Sequence, residues 1–86
     1  MSWWVYLLRC RDGSLYAGCT TDLQRRLAMH NAGTGAKYTR SRRPVALVYQ
    51  EPCKTKSEAL KRELALKRLT KAQKEALVSE FERSIP

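Results

Sequence analysis

Five polar side chains have types that could transfer a proton, bind an anion or ligate a metal ion. They are Tyr6, Tyr16, Arg26, His30 and Glu63. Each also has an ordinary structural explanation: half-buried tyrosines in strands, an arginine paired with an acid, a histidine at the negative end of a helix, and a glutamate paired with Lys67 one turn on. Whether the five act together depends on the elements that position them.

The two tyrosines belong to a predicted β-hairpin whose turn decides which side chains share a face. Residues 3–10 and 15–19 are apolar with aromatic or β-branched members, and Arg11-Asp12-Gly13 between them is typical of a turn. A two-residue turn would place the tyrosines on opposite faces. A three-residue turn with a left-handed Gly13 pairs Leu8 with Tyr16.

We prefer the three-residue turn because it separates an apolar face from a polar one. The polar face then carries Tyr6, Tyr16 and Gly18. The apolar face carries Trp3, Val5, Leu7, Leu15, Ala17 and Cys19.

A helix predicted after the hairpin carries two more of the five side chains. Thr21-Asp22-Leu23-Gln24 is a capping-box signature, and Gly33 is a typical helix terminator. On a helical wheel, Arg26 and His30 share one arc with two leucines. A helix that needed only solubility would have no reason to place these two side chains beside its buried leucines.

The second half of the chain is predicted to form a strand over residues 45–50, after Pro44, and two helices. Capping signatures at Thr55-Lys56-Ser57-Glu58 and Thr70-Lys71-Ala72-Gln73 open the helices. The inward arc of the first is expected to carry Ala59, Leu60, Glu63, Leu64 and Leu66. The apolar stripe of the second is expected to carry Leu77, Val78 and Phe81. A carboxylate facing a core is costly unless a cation compensates it, and a metal ion is a good compensator.

Composition indicates the setting in which these residues work. The formal net charge of +9 on 86 residues favours a polyanionic partner, nucleic acid before an anionic membrane surface. The longest apolar run, residues 3–8, is too short to span a bilayer, and nothing resembles a signal peptide, so we expect the cytoplasm. The three cysteines are odd in number and form no zinc-type cluster, which predicts reduced structural thiols.

One basic stretch is more specific than the total charge. Residues 37–43 contain the cations Lys37, Arg40, Arg42 and Arg43, one aromatic ring and no acid, after the hinge Gly33-Thr34-Gly35. The pattern predicts a mobile basic loop that tracks phosphates. The alternative is a solvated loop that only keeps the protein soluble.

Together these residues resemble the GIY-YIG nuclease family, from Trp3 to about Val78, and most closely its stand-alone, single-domain bacterial branch, the YhbQ-like proteins. The family's first triplet matches Trp4-Val5-Tyr6 and its second matches Tyr16-Ala17-Gly18, with the tyrosines ten residues apart. The family's arginine matches Arg26, its histidine-or-tyrosine position matches His30, and its metal-binding glutamate matches Glu63.

The resemblance implies one α+β domain over residues 1–86, a small three-stranded mixed or antiparallel sheet flanked by helices in the order β-β-α-β-α-α. It also implies hydrolysis of phosphodiester bonds with one divalent ion, Mg²⁺ or Mn²⁺. Glu63 would ligate the metal, and Arg26 would clamp a phosphate oxygen. Tyr16, with Tyr6 as its hydrogen-bonding partner, would orient and deprotonate the attacking water. His30 would relay a proton or bind a phosphate.

Gly18 would let the backbone approach the substrate with no side chain in the way. The chain departs from the family at Trp4, Val5 and Ala17, which are backbone and packing positions. It also has no asparagine after Asn31, although many members have one beyond the glutamate. The polar support that this residue supplies is therefore expected to be absent or to come from elsewhere.

The expected substrate is DNA rather than RNA. Because no second DNA-recognition domain is attached, we expect structure-selective or non-specific cutting that serves repair or turnover. The chain is expected to be a monomer or a weak dimer that binds no membrane. Two alternatives stay open: a non-catalytic nucleic-acid-binding module with the same fold, and a small accessory protein that binds a protein partner.

Overall fold

A computed structural model describes residues 2–85 and contains one three-stranded antiparallel sheet. The strands are β1 (Trp3–Arg9), β2 (Leu15–Thr20) and β3 (Ala46–Cys53), and β1 lies between the other two. The helices are α1 (Leu23–Ala32), α2 (Lys37–Arg40), α3 (Lys56–Arg68) and α4 (Lys71–Ser84). The predicted α+β class and element order are confirmed, and α2 is an additional short helix. None of the helices in residues 2–85 has the length and apolar character needed to cross a membrane.

The hairpin adopts the preferred register. Leu8 pairs with Tyr16, and Tyr6 pairs with Gly18. The turn has Gly13 at φ 86°, a left-handed conformation that an L side chain rarely adopts. The backbone N–H of Cys10 donates to the carbonyl of Ser14 at 2.9 Å, which closes the three-residue turn. Both tyrosines are therefore on the same face of the sheet, as predicted.

Each face of the sheet packs against different helices. The apolar face of the hairpin meets α3 and α4 through one buried cluster. Its members are Val5, Leu7, Leu15, Ala17, Ala59, Leu66 and Val78. The opposite face packs Tyr6, Leu8, Cys10 and Val45 against partly buried side chains that include Leu23 and Leu27 of α1. The predicted arc of α1 is thus directed at the face that carries the tyrosines.

The capping of two helices and the extent of the third strand differ from the predictions. The N-cap of α1 is Asp22 rather than Thr21, because the Asp22 carboxylate accepts from the backbone N–H of Arg25 at 3.1 Å. At α3 the Glu58 carboxylate accepts from the N–H of Lys54, not of Thr55, so only half of the capping box forms. The full box forms at α4. β3 extends to Cys53 because β1 continues to pair with it as far as Trp3.

Two leucines that were predicted on the inward arc of α3 are exposed. Leu60 and Leu64 keep 49% and 50% of their surface in solvent. Only Ala59 and Leu66 of this helix are buried, because α3 touches the sheet along a stripe narrower than its apolar pattern. Glu63 lies at the border of that stripe, with a side chain that is 19% exposed.

The basic stretch after α1 is not the loop that was predicted. Lys37–Arg40 form α2, in which the N–H of Arg40 donates to the carbonyl of Ala36 at 3.1 Å. Thr39 is fully buried beneath the segment. A buried residue and a helical turn tie the stretch to α1, which the run of charges did not indicate.

Candidate active site

A buried chain of hydrogen bonds runs from β1 to α2 through α1. The Tyr6 hydroxyl lies 3.1 Å from Nε2 of His30, and Nδ1 of His30 lies 2.8 Å from the Thr39 hydroxyl. The Thr39 hydroxyl lies 3.1 Å from the carbonyl oxygen of Ala36. Tyr6 is 2% exposed, and His30 and Thr39 are fully buried. Both ring nitrogens of His30 are therefore engaged by protein and shielded from solvent.

Two glycines leave space for the side chains that form these hydrogen bonds. A Cβ on Gly18 would lie 2.5 Å from Cζ of Tyr6, and a Cβ on Gly35 would lie 2.6 Å from Cγ of His30. Gly18 was expected to let the backbone approach the substrate with no side chain in the way. Gly18 is buried, and the space left by its missing side chain is filled by the Tyr6 ring.

Tyr16 lies beside the hydrogen-bonded Tyr6 and His30 and is only half-buried. Its ring packs edge-on against His30 at 5.5 Å between centroids and stacks on Tyr38 at 5.7 Å. The guanidinium of Arg42 lies over the Tyr38 ring at 3.9 Å from its centroid, within the range of a cation–π contact. The Tyr6 hydroxyl, which was expected to bond to Tyr16, bonds instead to His30.

Burial and the charge of Arg26 decide the protonation of Tyr6 and His30. Burial raises the pKa of Tyr6 above its ordinary value, although hydrogen bonding and the charge of Arg26 oppose it. Burial, with help from the Arg26 charge, lowers the pKa of His30. The net pKa shift of each residue disfavours its charged form, so Tyr6 is a neutral phenol and His30 a neutral imidazole at pH 7.

Arg26 has an unusual environment for a cation. Its Nε is buried and has no hydrogen-bond acceptor among residues 2–85. None of the carboxylates in the described part of the chain forms a salt bridge with it. Its charge nevertheless acts on Tyr6, His30 and Glu63, which places the guanidinium among the other candidate residues.

Within residues 2–85, Glu63 is the only one of the five that has a salt-bridge partner. Nζ of Lys67 lies 2.8 Å from its Oε2, the pairing that the sequence offered as the ordinary explanation. Burial raises the pKa of Glu63, but hydrogen bonds from Cys19 and Lys67 and the nearby positive charges outweigh it and leave the pKa below its ordinary value. Burial and the neighbouring Glu63 carboxylate raise the pKa of the Cys19 thiol to about 12.

These properties bear on whether a divalent ion fits. No cluster of three or more histidine, cysteine or acidic side chains occurs within residues 2–85. A single ionised carboxylate does fit Mg²⁺, which commonly takes one or two carboxylates and completes its shell with water and phosphate. Glu63 supplies such an oxygen. Asn31, the last asparagine, is not part of this arrangement, because its amide binds the backbone of Val45 on both sides.

The four predicted phosphate-tracking cations divide into two pairs. Arg42 bonds to Asp12 at 3.0 Å and to the carbonyl of Tyr38 at 2.8 Å, and Arg43 bonds to the carbonyl of Arg40 at 2.8 Å. These two side chains hold the segment in place. Lys37 and Arg40 are exposed. An open cleft of about 540 Å³ is lined by Arg11, Asn31, Arg40, Ser41, Arg43 and Pro44.

Sequence reasoning missed two residues of the cluster. Thr39 and Tyr38 stand in the basic stretch and look like loop residues there. The one signal was an aromatic ring and a hydroxyl a few residues after the Gly33-Thr34-Gly35 hinge. Only the fold of α2 back onto α1 brings them to His30 and Tyr16.

Known proteins are similar in sequence to this chain over most of its length. The family model described as the GIY-YIG catalytic domain matches residues 2–76. The UPF0213 protein of Desulfotalea psychrophila is 52% identical over 83 residues, which cover 95% of this chain and 76% of that protein. The UPF0213 protein of Halobacterium salinarum is 59% identical over 73 residues, 85% of this chain and 95% of that protein.

Two solution NMR structures show the same fold. A UPF0213 protein from Bacillus halodurans superposes with a TM-score of 0.58 at 48% identity, over 92% of this chain and 84% of that one. A protein from E. faecalis superposes with a TM-score of 0.65 at 49% identity, over 100% and 92%. Since the family model spans nearly the whole chain and the relatives match it almost end to end, this chain belongs to the GIY-YIG catalytic domain family, among its small UPF0213 proteins.

Proposed function

We propose that this chain is a metal-dependent nuclease that hydrolyses phosphodiester bonds of nucleic acid, DNA before RNA. The observation that carries the proposal is the buried Nε of Arg26, which has no acceptor among residues 2–85. A buried donor left unsatisfied costs about 1–3 kcal/mol. A phosphate oxygen at the half-buried guanidinium would pair with its charge, which none of the carboxylates in residues 2–85 does. The charge of Arg26 also acts on Glu63 and Tyr6, which supports a site in which both would lie near the phosphate.

The two tyrosines divide the work on the attacking water. Tyr16 is the more exposed of the pair and is the one that can contact and orient the water. Tyr6 is the one whose hydroxyl already has a proton acceptor, Nε2 of His30 at 3.1 Å. The proton released by the water would reach this neutral imidazole through the Tyr6 hydroxyl, which takes up that proton as it gives its own to Nε2. Because His30 receives the proton, no stable tyrosinate is needed, and the cost of lowering a tyrosine pKa by several units is avoided.

His30 acts as a proton relay and not as a phosphate ligand. It has no exposed surface, and Tyr6 and Thr39 occupy both of its ring nitrogens. A direct contact with a phosphate would require one of these hydrogen bonds to break. Of the two roles that the resemblance allowed, burial favours the relay.

Glu63 would hold the divalent ion through its carboxylate. When bound, the ion would stabilise negative charge on the phosphate and on the departing oxygen. Arg26 would hold a non-bridging oxygen from its own side and balance the charge that develops there. Lys67 must release the carboxylate oxygen that it now contacts at 2.8 Å, and as an exposed side chain it is free to turn away.

The surface around the site favours phosphates over bases. Lys37 and Arg40 are exposed beside the cluster, and the whole chain carries a net charge of +9. Contacts of this kind position a nucleic acid without reading its sequence. Structure-selective or non-specific cutting in repair or turnover, in the cytoplasm, is the expected setting.

The proposal is tested with labelled single-stranded, duplex and branched DNA, and with RNA, with and without Mg²⁺. Wild type should cut at least one substrate, and chelation of divalent ions should abolish cutting. Arg26→Lys keeps the charge but loses the forked guanidinium, and should lower the cleavage rate about 100-fold or more. Arg25→Lys, on the exposed side of the same helix, is the matched control and should cut as wild type does. Equal rates for the two variants would contradict the role of Arg26.

One observation favours the second candidate function, a nucleic-acid-binding module without catalysis. The carboxylate of Glu63 is already neutralised by Lys67 in the same helix. If that pair is permanent, no metal enters. Lys67→Met tests this by titration with Mg²⁺ or Mn²⁺: in a nuclease the variant binds the ion at least as tightly as wild type, and Glu63→Gln does not bind it. Binding of DNA by all three proteins with cutting by none would establish the module.

Binding itself has a separate test in its dependence on salt. The logarithm of the binding constant for duplex DNA should fall with the logarithm of salt concentration by about 0.9 per phosphate neutralised. Lys37→Gln and Arg40→Gln should each reduce this slope by about 0.9, the contribution of one phosphate. Arg42→Gln should disturb the fold more than the slope, because Asp12 and Tyr38 already occupy its guanidinium.

A further inference from the structure

We infer that Thr39 is a positioning residue that holds His30 as its Nδ1–H tautomer, so that Nε2 stays free to accept the proton of Tyr6. The catalytic consequence rests on the proposed function, whereas the tautomer itself does not. The assignment adds a residue outside the tyrosine, arginine, histidine and glutamate set. It comes from the direction of three consecutive hydrogen bonds.

The direction is decided at the Thr39 end of the chain. A threonine hydroxyl has one hydrogen to donate and two lone pairs that can accept. The Ala36 carbonyl, 3.1 Å away, can only accept, so the Thr39 hydrogen points to it. The other neighbour of the hydroxyl is Nδ1 of His30 at 2.8 Å, and that nitrogen must therefore be the donor. An Nδ1 that donates carries a hydrogen.

The direction continues at the other side of the ring. A neutral imidazole with hydrogen on Nδ1 has a lone pair on Nε2. The group that faces Nε2 is the Tyr6 hydroxyl at 3.1 Å, and it donates to the lone pair. Arg26, which can only donate, acts on the oxygen of Tyr6 and not on its hydrogen. All the hydrogen bonds therefore point the same way, from Tyr6 through His30 and Thr39 to Ala36.

The local backbone explains how Thr39 reaches the ring. Gly33 ends α1 in the left-handed conformation, at φ 87°, and turns the chain back over the helix. Gly35 then passes so close to the imidazole that a Cβ there would overlap it. α2 begins directly afterwards and directs Thr39 inward, whereas Lys37 and Arg40 of the same turn are directed outward. The basic stretch thus has an inner side that supports the histidine.

The tautomer matters for the direction of proton transfer. With hydrogen on Nε2 instead, His30 would donate to Tyr6 and could not accept its proton. Thr39 excludes that state, because Nδ1 would then present a lone pair to a hydroxyl whose hydrogen is already directed at Ala36. Thr39, which touches neither the water nor the phosphate, thus keeps Nε2 of His30 ready to accept the proton of Tyr6.

NMR can read the tautomer directly, because His30 is the only histidine in the sequence. In long-range ¹H–¹⁵N spectra of the full chain at pH 7.5, wild type should show Nδ1 as the protonated nitrogen and Nε2 as the nitrogen with the lone pair. A wild-type spectrum with the hydrogen on Nε2, or with both nitrogens protonated, overturns the inference. The measurement needs no substrate and no metal.

Three variants test which residue sets the tautomer. Thr39→Val removes the hydroxyl at nearly constant volume and should lower the preference for Nδ1–H about tenfold or more, because a buried N–H loses its acceptor. Thr39→Ser should restore it. Thr34→Val, which removes an exposed hydroxyl five residues away, is the control and should change nothing. Retention of the full preference in Thr39→Val overturns the inference, as does its loss in Thr39→Ser.

Tyr6→Phe supplies a second test if Thr39→Val does not fold. It removes the donor at Nε2 and leaves Thr39 in place, so Nδ1–H should persist. A change of tautomer in this variant would show that Tyr6, not Thr39, sets it. In cleavage assays Thr39→Val should be slowed about tenfold and Thr39→Ser should cut nearly as wild type. A wild-type chain that cuts nothing refutes the proposed function but leaves the tautomer readable.

Discussion

Replacing Gly18 by alanine tests whether the site depends on the space that this glycine leaves. The new Cβ would lie 2.5 Å from Cζ of Tyr6, a distance at which one of the two must move. Tyr6 has little freedom to move, since it is 2% exposed and its hydroxyl is bonded to His30. The Tyr6–His30 hydrogen bond of 3.1 Å is therefore expected to lengthen or break.

The size of the effect follows from two opposing contributions. Overpacking a well-packed core costs about 1–3 kcal/mol. Alanine in a strand is about 0.5–1 kcal/mol better than glycine, because it restricts the unfolded chain. The net loss in the free energy of unfolding should then be about 1–2 kcal/mol. If Tyr6 is first shortened to leucine, the overlap disappears and Gly18→Ala should become neutral or slightly stabilising.

Urea denaturation of wild type, Gly18→Ala, Tyr6→Leu and the double variant measures both contributions as a double-mutant cycle. The coupling between the two positions should be about 1–3 kcal/mol in favour of the double variant. Equal destabilisation by Gly18→Ala in both backgrounds would refute the crowding argument. It would indicate that alanine disturbs the strand itself rather than the tyrosine above it.

Three further predictions concern other contacts of the fold. The pKa of Glu63 is lower in the folded chain than in the unfolded chain. Its pairing with Lys67 therefore stabilises the fold above the ordinary carboxyl pKa of about 4.3, and this stabilisation is lost as the pH falls below that value. Lys67→Met should flatten the loss of stability that thermal unfolding shows between about pH 5 and pH 3. Gly33→Ala should lower the free energy of unfolding in urea by about 1 kcal/mol, because φ is 87° there, and Gly33→Asn should lose less. Cys19, with a pKa of about 12, should react with iodoacetamide at pH 8 far more slowly than an ordinary thiol, as peptide mass spectrometry can measure. Glu63→Gln should speed the reaction. A rate unchanged by Glu63→Gln would exclude the carboxylate as a cause of the raised pKa.

The hairpin shows how far local sequence can carry a structural prediction. Alternating polar and apolar residues and one glycine were enough to choose between two registers, because a one-residue slip exchanges the faces of the strand. The observed pairing of Leu8 with Tyr16 and the left-handed Gly13 follow that choice. Helix boundaries were less secure. Thr21 and Asp22 are both good caps, and only the actual hydrogen bond to Arg25 selects Asp22.

Exposure of the α3 leucines could not be read from the helix alone. A wheel shows which residues share an arc but not how wide a strip the neighbouring sheet covers. Leu60 and Leu64 lie outside that strip and Glu63 at its border. The Lys67 pairing of Glu63 was one of the two explanations that the sequence left open, and the folded chain forms it without excluding a metal ligand.

The sequence by itself determined the three strands and the three longer helices, the shared face of Tyr6 and Tyr16, and the family. Each of these depends on residues near one another in the chain or on motif spacing. The tertiary structure decided what surrounds them. Only packing of α2 onto α1 puts Thr39 at His30, and only the pairing of β1 with β2 sets Gly18 beneath Tyr6. The folded chain also leaves Nε of Arg26 buried and without an acceptor in residues 2–85. Burial and hydrogen-bond direction arise between distant segments, so no local pattern encodes them.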